Sequence, residues 1–200
     1  MRTNTATASL FSVLVVLAAC AGAGKDFIRP DAGSFKLGQT TYSQVIQKMG
    51  EPKTVSDVVQ NEKQVKSVVY SYANANGQPL EEGVIPYRGM TYSFYNDTLV
   101  GEQFMSSFKS DNTNFDEKLV DRIQKGQTSR AEVIQLLGPP TASFIAPMVK
   151  ETSGEAIGYT YQAIRGGLFS GLKVSMKALR ISFDGNGVVT EVQYSSQGTK

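Results

Sequence analysis

Apolar residues along this chain are spaced in three ways. From Leu10 through Phe11, Val13, Leu14, Val15, Val16 and Leu17 to Ala19 they form one short continuous run. At Val45, Ile46 and Met49, and again at Val133, Ile134 and Leu137, they recur at i, i+1 and i+4, which predicts a short amphipathic helix in each place. Each stripe follows a hydroxyl placed three residues before an acceptor, Thr41 with Gln44 and Ser129 with Glu132, the spacing of a capping box. Gly50 and Gly138 then close the stripes and Pro52 and Pro140 block their continuation. Phe115, Leu119 and Ile123 recur every four residues and predict a further helix from about Asp116 to Lys125. Elsewhere the period is two. Val68, Tyr70 and Tyr72, then Met90, Tyr92 and Phe94, then Tyr159 and Tyr161, then Leu179, Ile181 and Phe183 mark the inward faces of antiparallel strands with one wet side. The stretch Asp184-Gly185-Asn186-Gly187 supplies a tight hairpin, and Tyr95-Asn96-Asp97-Thr98 occupies the matching place earlier in the chain.

The two halves repeat. Gly38 to Pro52 aligns with Gly126 to Pro140 without a gap, and the Gly, Gln, Thr, Val, Ile, Gln, Gly and Pro positions are identical. One residue of slippage later, Tyr70-Ser71-Tyr72 matches Tyr159-Thr160-Tyr161, Ser93-Phe94 matches Ser182-Phe183, and Ser106-Ser107 matches Ser195-Ser196. The expected fold class is therefore α+β: two tandem repeats, each with one or two short helices packed on a three- to four-stranded antiparallel sheet. The expected divisions are a signal peptide at 1–19, a tether at 20–34, a first repeat at 35–108, and a linking helix with the second repeat at 109–200. A unit of about 75–85 residues is large enough to fold, though marginally.

Composition narrows the chemistry. The 200 residues carry 20 basic and 18 acidic side chains, too balanced for a dedicated nucleic-acid binder. There is no histidine and Cys20 is the sole cysteine. That excludes His-dependent triads, Cys–His nucleophile pairs, the usual zinc sets and an intrachain disulfide. An enzyme would have to draw its acid–base chemistry from Asp, Glu, Lys or Tyr alone, so the chain is read as non-catalytic, with no cofactor.

The opening run is too short to span a bilayer. With Arg2 ahead of it and small residues behind, it reads as a secretory signal. The quartet Leu17-Ala18-Ala19-Cys20 resembles the bacterial lipobox. That resemblance implies cleavage before Cys20, which becomes an N-terminus carrying three acyl (palmitate-type) chains, and Ala21 in place of aspartate implies sorting to the outer membrane. An ordinary secretory peptide that happens to end beside a cysteine is the alternative. The blocks Gly126, Thr128, Val133, Leu137, Gly138 and Pro140, followed by Tyr159, Tyr161, Phe183, Gly187 and Val188, resemble the SmpA/OmlA (BamE-like) lipoproteins. Gly38, Thr40, Val45, Gly50 and Pro52 keep the pattern in the first half, with Met49 where leucine is usual and without the Asp-Gly turn. The resemblance implies a helix-on-sheet module in the outer membrane, facing the periplasm, whose partner belongs to the outer-membrane assembly machinery. The doubled arrangement also looks like the secreted β-lactamase inhibitor proteins, so inhibition of a periplasmic hydrolase is the alternative function. Those inhibitors use disulfides that a single cysteine cannot supply.

The candidate partner-binding residues are Tyr87, Tyr95, Leu168, Phe169, Arg180 and Tyr194, apolar or basic groups that the alternation does not assign inward. Thr91, Ser93, Thr160, Arg180 and Ser182 would frame a wet sheet face. From Asp121 onward nine basic residues face six acidic ones, and Lys150, Arg165, Lys173, Lys177 and Arg180 form an excess suited to anionic headgroups. Asp184 to Gly187 lacks the further ligands of a calcium loop, so no metal is expected. Gly166 to Gly171 lacks the Lys-Ser/Thr of a phosphate loop. Glu81-Glu82 reads as solvated loop charge.

Overall fold

A computed structural model describes residues 22–150, 154–167 and 171–198. In chain order the strands are β1 (Gly22–Gly24), β2 (Thr54–Gln60), β3 (Lys63–Asn74), β4 (Val84–Ile85), β5 (Tyr87–Tyr95), β6 (Thr98–Ser106), β7 (Ala142–Ile145), β8 (Glu155–Gly167), β9 (Gly171–Phe183) and β10 (Val189–Gln197). Helix α1 (Tyr42–Met49) precedes β2, and helix α2 (Arg130–Leu137) precedes β7. Both helices begin as their sequences require. Thr41 and Ser129 accept from the backbone of Gln44 and Glu132, whose side chains accept in return from the cap backbones. Both end on a glycine with positive φ and extended ψ, 77° and −168° at Gly50, 83° and −173° at Gly138. That region is open essentially to glycine alone. It differs from the left-handed helical cap that the motif predicts.

Each half is a four-strand meander, β2-β3-β5-β6 and β7-β8-β9-β10, and β6 pairs with β7 so that the two become one antiparallel sheet. A row of opposed residues crosses the sheet from β2 to β10: Val55, Val68, Tyr92, Glu102, Ser143, Ile157, Ile181 and Val192. Because Tyr92 lies under α1 and Ile157 and Ile181 under α2, both helices cover the same face. One core gathers Val45, Val68, Tyr70, Met90, Tyr92, Phe94, Leu99 and Phe104. The other gathers Val133, Ile157, Tyr159, Leu179, Ile181, Phe183 and Val189 with Phe115, Val120 and Ile123.

The same local bonds recur in both halves. Gly38 N–H donates to Leu99 and Gly126 N–H to Val189. Lys36 N–H donates to the Thr40 hydroxyl and Gln124 N–H to that of Thr128. Tyr70 OH donates to the Gly50 carbonyl at 2.8 Å, and Tyr159 OH to that of Gly138 at 2.9 Å. Burial pushes both phenols up to about 12. Tyr92 is fully buried and its hydroxyl has no hydrogen-bond partner among the described residues. The two kinds of tyrosine therefore differ in their expected response. Tyr159→Phe should lose about 1 kcal/mol by orphaning a carbonyl, whereas Tyr92→Phe should be neutral or stabilise by up to about 1 kcal/mol. Urea unfolding of the two variants checks the contrast, and equal losses would refute it.

Four expectations change. The stretch after Phe115 is a 3-10 helix, Glu117–Arg122, rather than an α-helix to Lys125. Its three-residue turn stacks Val120 and Ile123 on the core while Leu119 stays half-buried. The Ser106/Ser195 match is out of register: Ser106 lies opposite Arg88, and the residue opposite Lys177 is Ser196. The cause is the second hairpin, where Asp184–Val188 separates Phe183 from Val189, one residue longer than Tyr95–Thr98 between Phe94 and Leu99. Asn96 and Asp97 both take positive φ, so the first hairpin makes its tight turn without glycine. Finally, the presumed tether is docked from Gly22: β1 pairs with Tyr72–Asn74, Phe27 packs on Tyr70, and Asp26 pairs with Arg88 at 2.7 Å.

Candidate protein-interaction surfaces

Strand alternation sends Tyr161, Ala163, Arg165, Ser175, Lys177, Tyr194 and Ser196 to the helix-covered face, beyond the reach of α2. They line a groove of about 760 Å³ together with Asn114 and Glu117. Tyr194 is 40% exposed, its ring is edge-on to Phe115 and its hydroxyl bonds to Glu117. Lys177 lies 4.7 Å over the Phe115 ring and donates to the Phe115 carbonyl. In the first half the matching row is Tyr72, Arg88 and Ser106, and there Phe108 closes it. Its ring stacks on Tyr72 at 5.9 Å and takes the Arg88 guanidinium on its other contact at 4.7 Å. In the second half Lys177 meets the Phe115 ring, and among the described residues no ring stacks on Tyr161.

At the rim of this groove Glu81 is no free loop charge. It accepts from the Tyr161 hydroxyl at 2.9 Å and forms an ion pair with Arg165, while β4 beside it pairs with Ile164 and Arg165. The connection between β3 and β5 thus ties the first half to the second. Local pattern carries no sign of this, because the partners lie some eighty residues apart.

The opposite face of the sheet is less wet than alternation predicts. Ser93 and Thr160 are buried, at 6% and 3% exposure. Ala142, Phe144, Ala156 and Val149 form a small apolar cluster there, and the β2–β3 turn reaches over as Asn61 donates to the Pro147 carbonyl at 2.8 Å. Arg180 sits on this side, its guanidinium 4.6 Å over Phe144 and bonded to the Met148 carbonyl. It borders a cavity of about 310 Å³ with Lys125, Lys150, Glu155, Glu191 and Gln193. Burial pulls its pKa down and Glu191 opposes that.

The proposed binding residues therefore do not converge. Tyr194 and Arg180 lie on opposite faces, Tyr87 covers Gly89 at the start of β5, and Tyr95 lies at the β5–β6 turn. Leu168 and Phe169, like Leu17, Ala18, Ala19 and Cys20, lie outside the described residues. The basic residues divide likewise: Arg165, Lys173 and Lys177 follow one another on the groove face, and Arg180 does not. Among the described residues no cluster of three potential ligands could hold a metal ion.

The seam between the cores carries a group that sequence reading missed. Glu102 lies between Tyr92 and Ser143, and burial raises its pKa, with Arg29 opposing. A raised carboxyl pKa favours the folded state most at acid pH. Its contribution falls as pH climbs from the ordinary glutamate range through the raised native value. Glu102→Gln should remove that fall, leaving the variant less pH-dependent over this window when stability is followed by urea midpoint.

A search of curated proteins gives no significant match. Among solved structures, a candidate β-lactamase inhibitor protein from Streptococcus mutans is similar at 14% identity and a TM-score of 0.41, with 78% of this chain and 82% of that chain covered. Residues 113–193, which hold α2, most of the groove and Arg180, match the outer membrane protein assembly factor BamE domain.

Proposed function

We propose that this chain is a lipid-anchored, periplasm-facing accessory of outer-membrane protein assembly, built from two BamE-like units and acting by binding rather than catalysis. The match of residues 113–193 to the BamE domain carries this reading. The recurrence of the same caps and tyrosine–carbonyl bonds in the first half supports the duplication. The lipobox at Leu17-Ala18-Ala19-Cys20 supports the anchor. An acyl group on Cys20 would lie two residues before β1, so the body would be held against the membrane by the edge where β1 meets β3. In the groove with Tyr194 and in the Arg180 cavity a partner would find aromatic and basic groups together.

A photo-crosslinking amino acid placed at Tyr194, and separately at Arg180, tests this in cells, with mass spectrometry of the adducts. Components of the β-barrel assembly machinery are the expected adducts. A single soluble hydrolase in stoichiometric amount would overturn the assembly role in favour of inhibition.

A further inference from the structure

The seam between the two halves recurs, unpaired, at the two ends of the sheet. At the seam β6 meets β7 with Gly101 opposite Phe144, Glu102 opposite Ser143 and Gln103 opposite Ala142, and the Phe104 N–H donates to the Thr141 carbonyl. Across it the Gln103 side chain donates to the Thr160 hydroxyl at 3.1 Å. By hydrogen-bond position β10 is the counterpart of β6, since Leu99 and Val189 receive and make the same bonds with the loops before α1 and α2. Both strands also carry a one-residue bulge at the same place, Val100 and Thr190. In the same way β2 is the counterpart of β7. Yet the outer edges of β2 and β10 have no ladder partner among the described residues.

We infer that this chain docks end to end with a second copy of itself, β2 of one molecule adding to β10 of the next in the register of the β6–β7 seam. This rests on the two-unit reading and not on the assembly role. Transferring the register places Glu191 opposite Ser56, Val192 opposite Val55 and Gln193 opposite Thr54. Three features favour a second copy as the occupant. Gln193 repeats Gln103, and Ser71, at the position of Thr160, offers the same hydroxyl, so the bond across the seam can be remade between molecules. Val55, 47% exposed, meets Val192, an apolar cross-strand pair in place of Glu102 and Ser143. Both strands lack lysine, arginine and proline and keep one acidic residue each, Asp57 and Glu191, and Val59 on β2 is 78% exposed. Because the two surfaces differ, each docking leaves a β10 and a β2 free, and the association continues beyond two copies.

Disulfide trapping of the full chain in its native membrane tests this, with the parent chain and its single Cys20 as baseline. Thr54→Cys combined with Gln193→Cys should give a ladder of dimers, trimers and higher species on oxidation. Thr54→Cys with Glu191→Cys, displaced by two residues, should not, and Val55→Lys added to the first pair should abolish the ladder. Unchanged thermal unfolding of the Val55→Lys variant shows that its loss is not misfolding. Monomer only, a product that stops at dimer, or adducts with a different protein would each overturn end-to-end docking. Failure here leaves the crosslinks at Tyr194 and Arg180 as a separate test of the assembly role.

Discussion

Phe183→Ala is expected to cost about 3–5 kcal/mol of stability. The ring is 1% exposed at the end of β9, opposite Val189, which is fully buried. It belongs to the cluster that α2 covers through Val133. Removing it opens a void beside the hairpin where Val189 accepts from Gly126 N–H and donates its own N–H to the Thr128 carbonyl, so the loss is felt by the strands and the helix together. Phe94→Ala is the matching lesion in the first half, at 2% exposure. The two cores are separate clusters, so each variant should destabilise its own half first. Urea unfolding followed by hydrogen exchange checks this. A loss under about 1 kcal/mol for Phe183→Ala would mean that the site collapses around the missing ring, contrary to the packing described.

Cys20→Ser is expected to change localisation as completely as Phe183→Ala changes stability. Burial of acyl chains is worth about 0.8 kcal/mol per methylene, and more than one chain makes anchoring effectively permanent. Without the thiol there is nothing to acylate, and the lipobox resemblance implies that cleavage also fails. The expected product is a longer precursor that takes up no labelled palmitate, seen by gel mobility and intact mass. Normal processing with normal membrane retention would sink the lipid anchor. The docking of Gly22–Gly24 on β3 adds a further expectation, because an anchored chain would have little slack between lipid and fold.

How much of this was legible depended on distance along the chain. Both capping boxes, both glycine stops and the Asp184–Gly187 turn were readable, because each signal and its response lie within a few residues. Most inward tyrosines were readable because period-two alternation is a local property: Tyr70, Tyr92, Tyr159 and Tyr161 are buried, whereas Tyr72 is half-buried. Leu119 misled, since four-residue spacing fits an α-helix while the segment has room only for a 3-10 turn between Asp116 and the extended Ile123. The strand β2 left no core signal because its residues are nearly all exposed. Ser93 and Thr160 were assigned to water because nothing local reports that an apolar cluster and the β2–β3 turn share that face.

The sequence by itself determined the local elements and their recurrence: two capped helices, each followed by an aromatic meander. Only the tertiary structure decided that β6 and β7 join the halves into one sheet with both helices on one face. It likewise decided that Glu81 locks onto Tyr161 and Arg165, that Arg88 holds Asp26, and that Lys177 and Tyr194 gather on the Phe115 ring. These pairings join residues tens of positions apart. Backbone hydrogen bonds between strands are chemically alike everywhere, so which edge meets which is settled by packing and geometry, not by residue pattern.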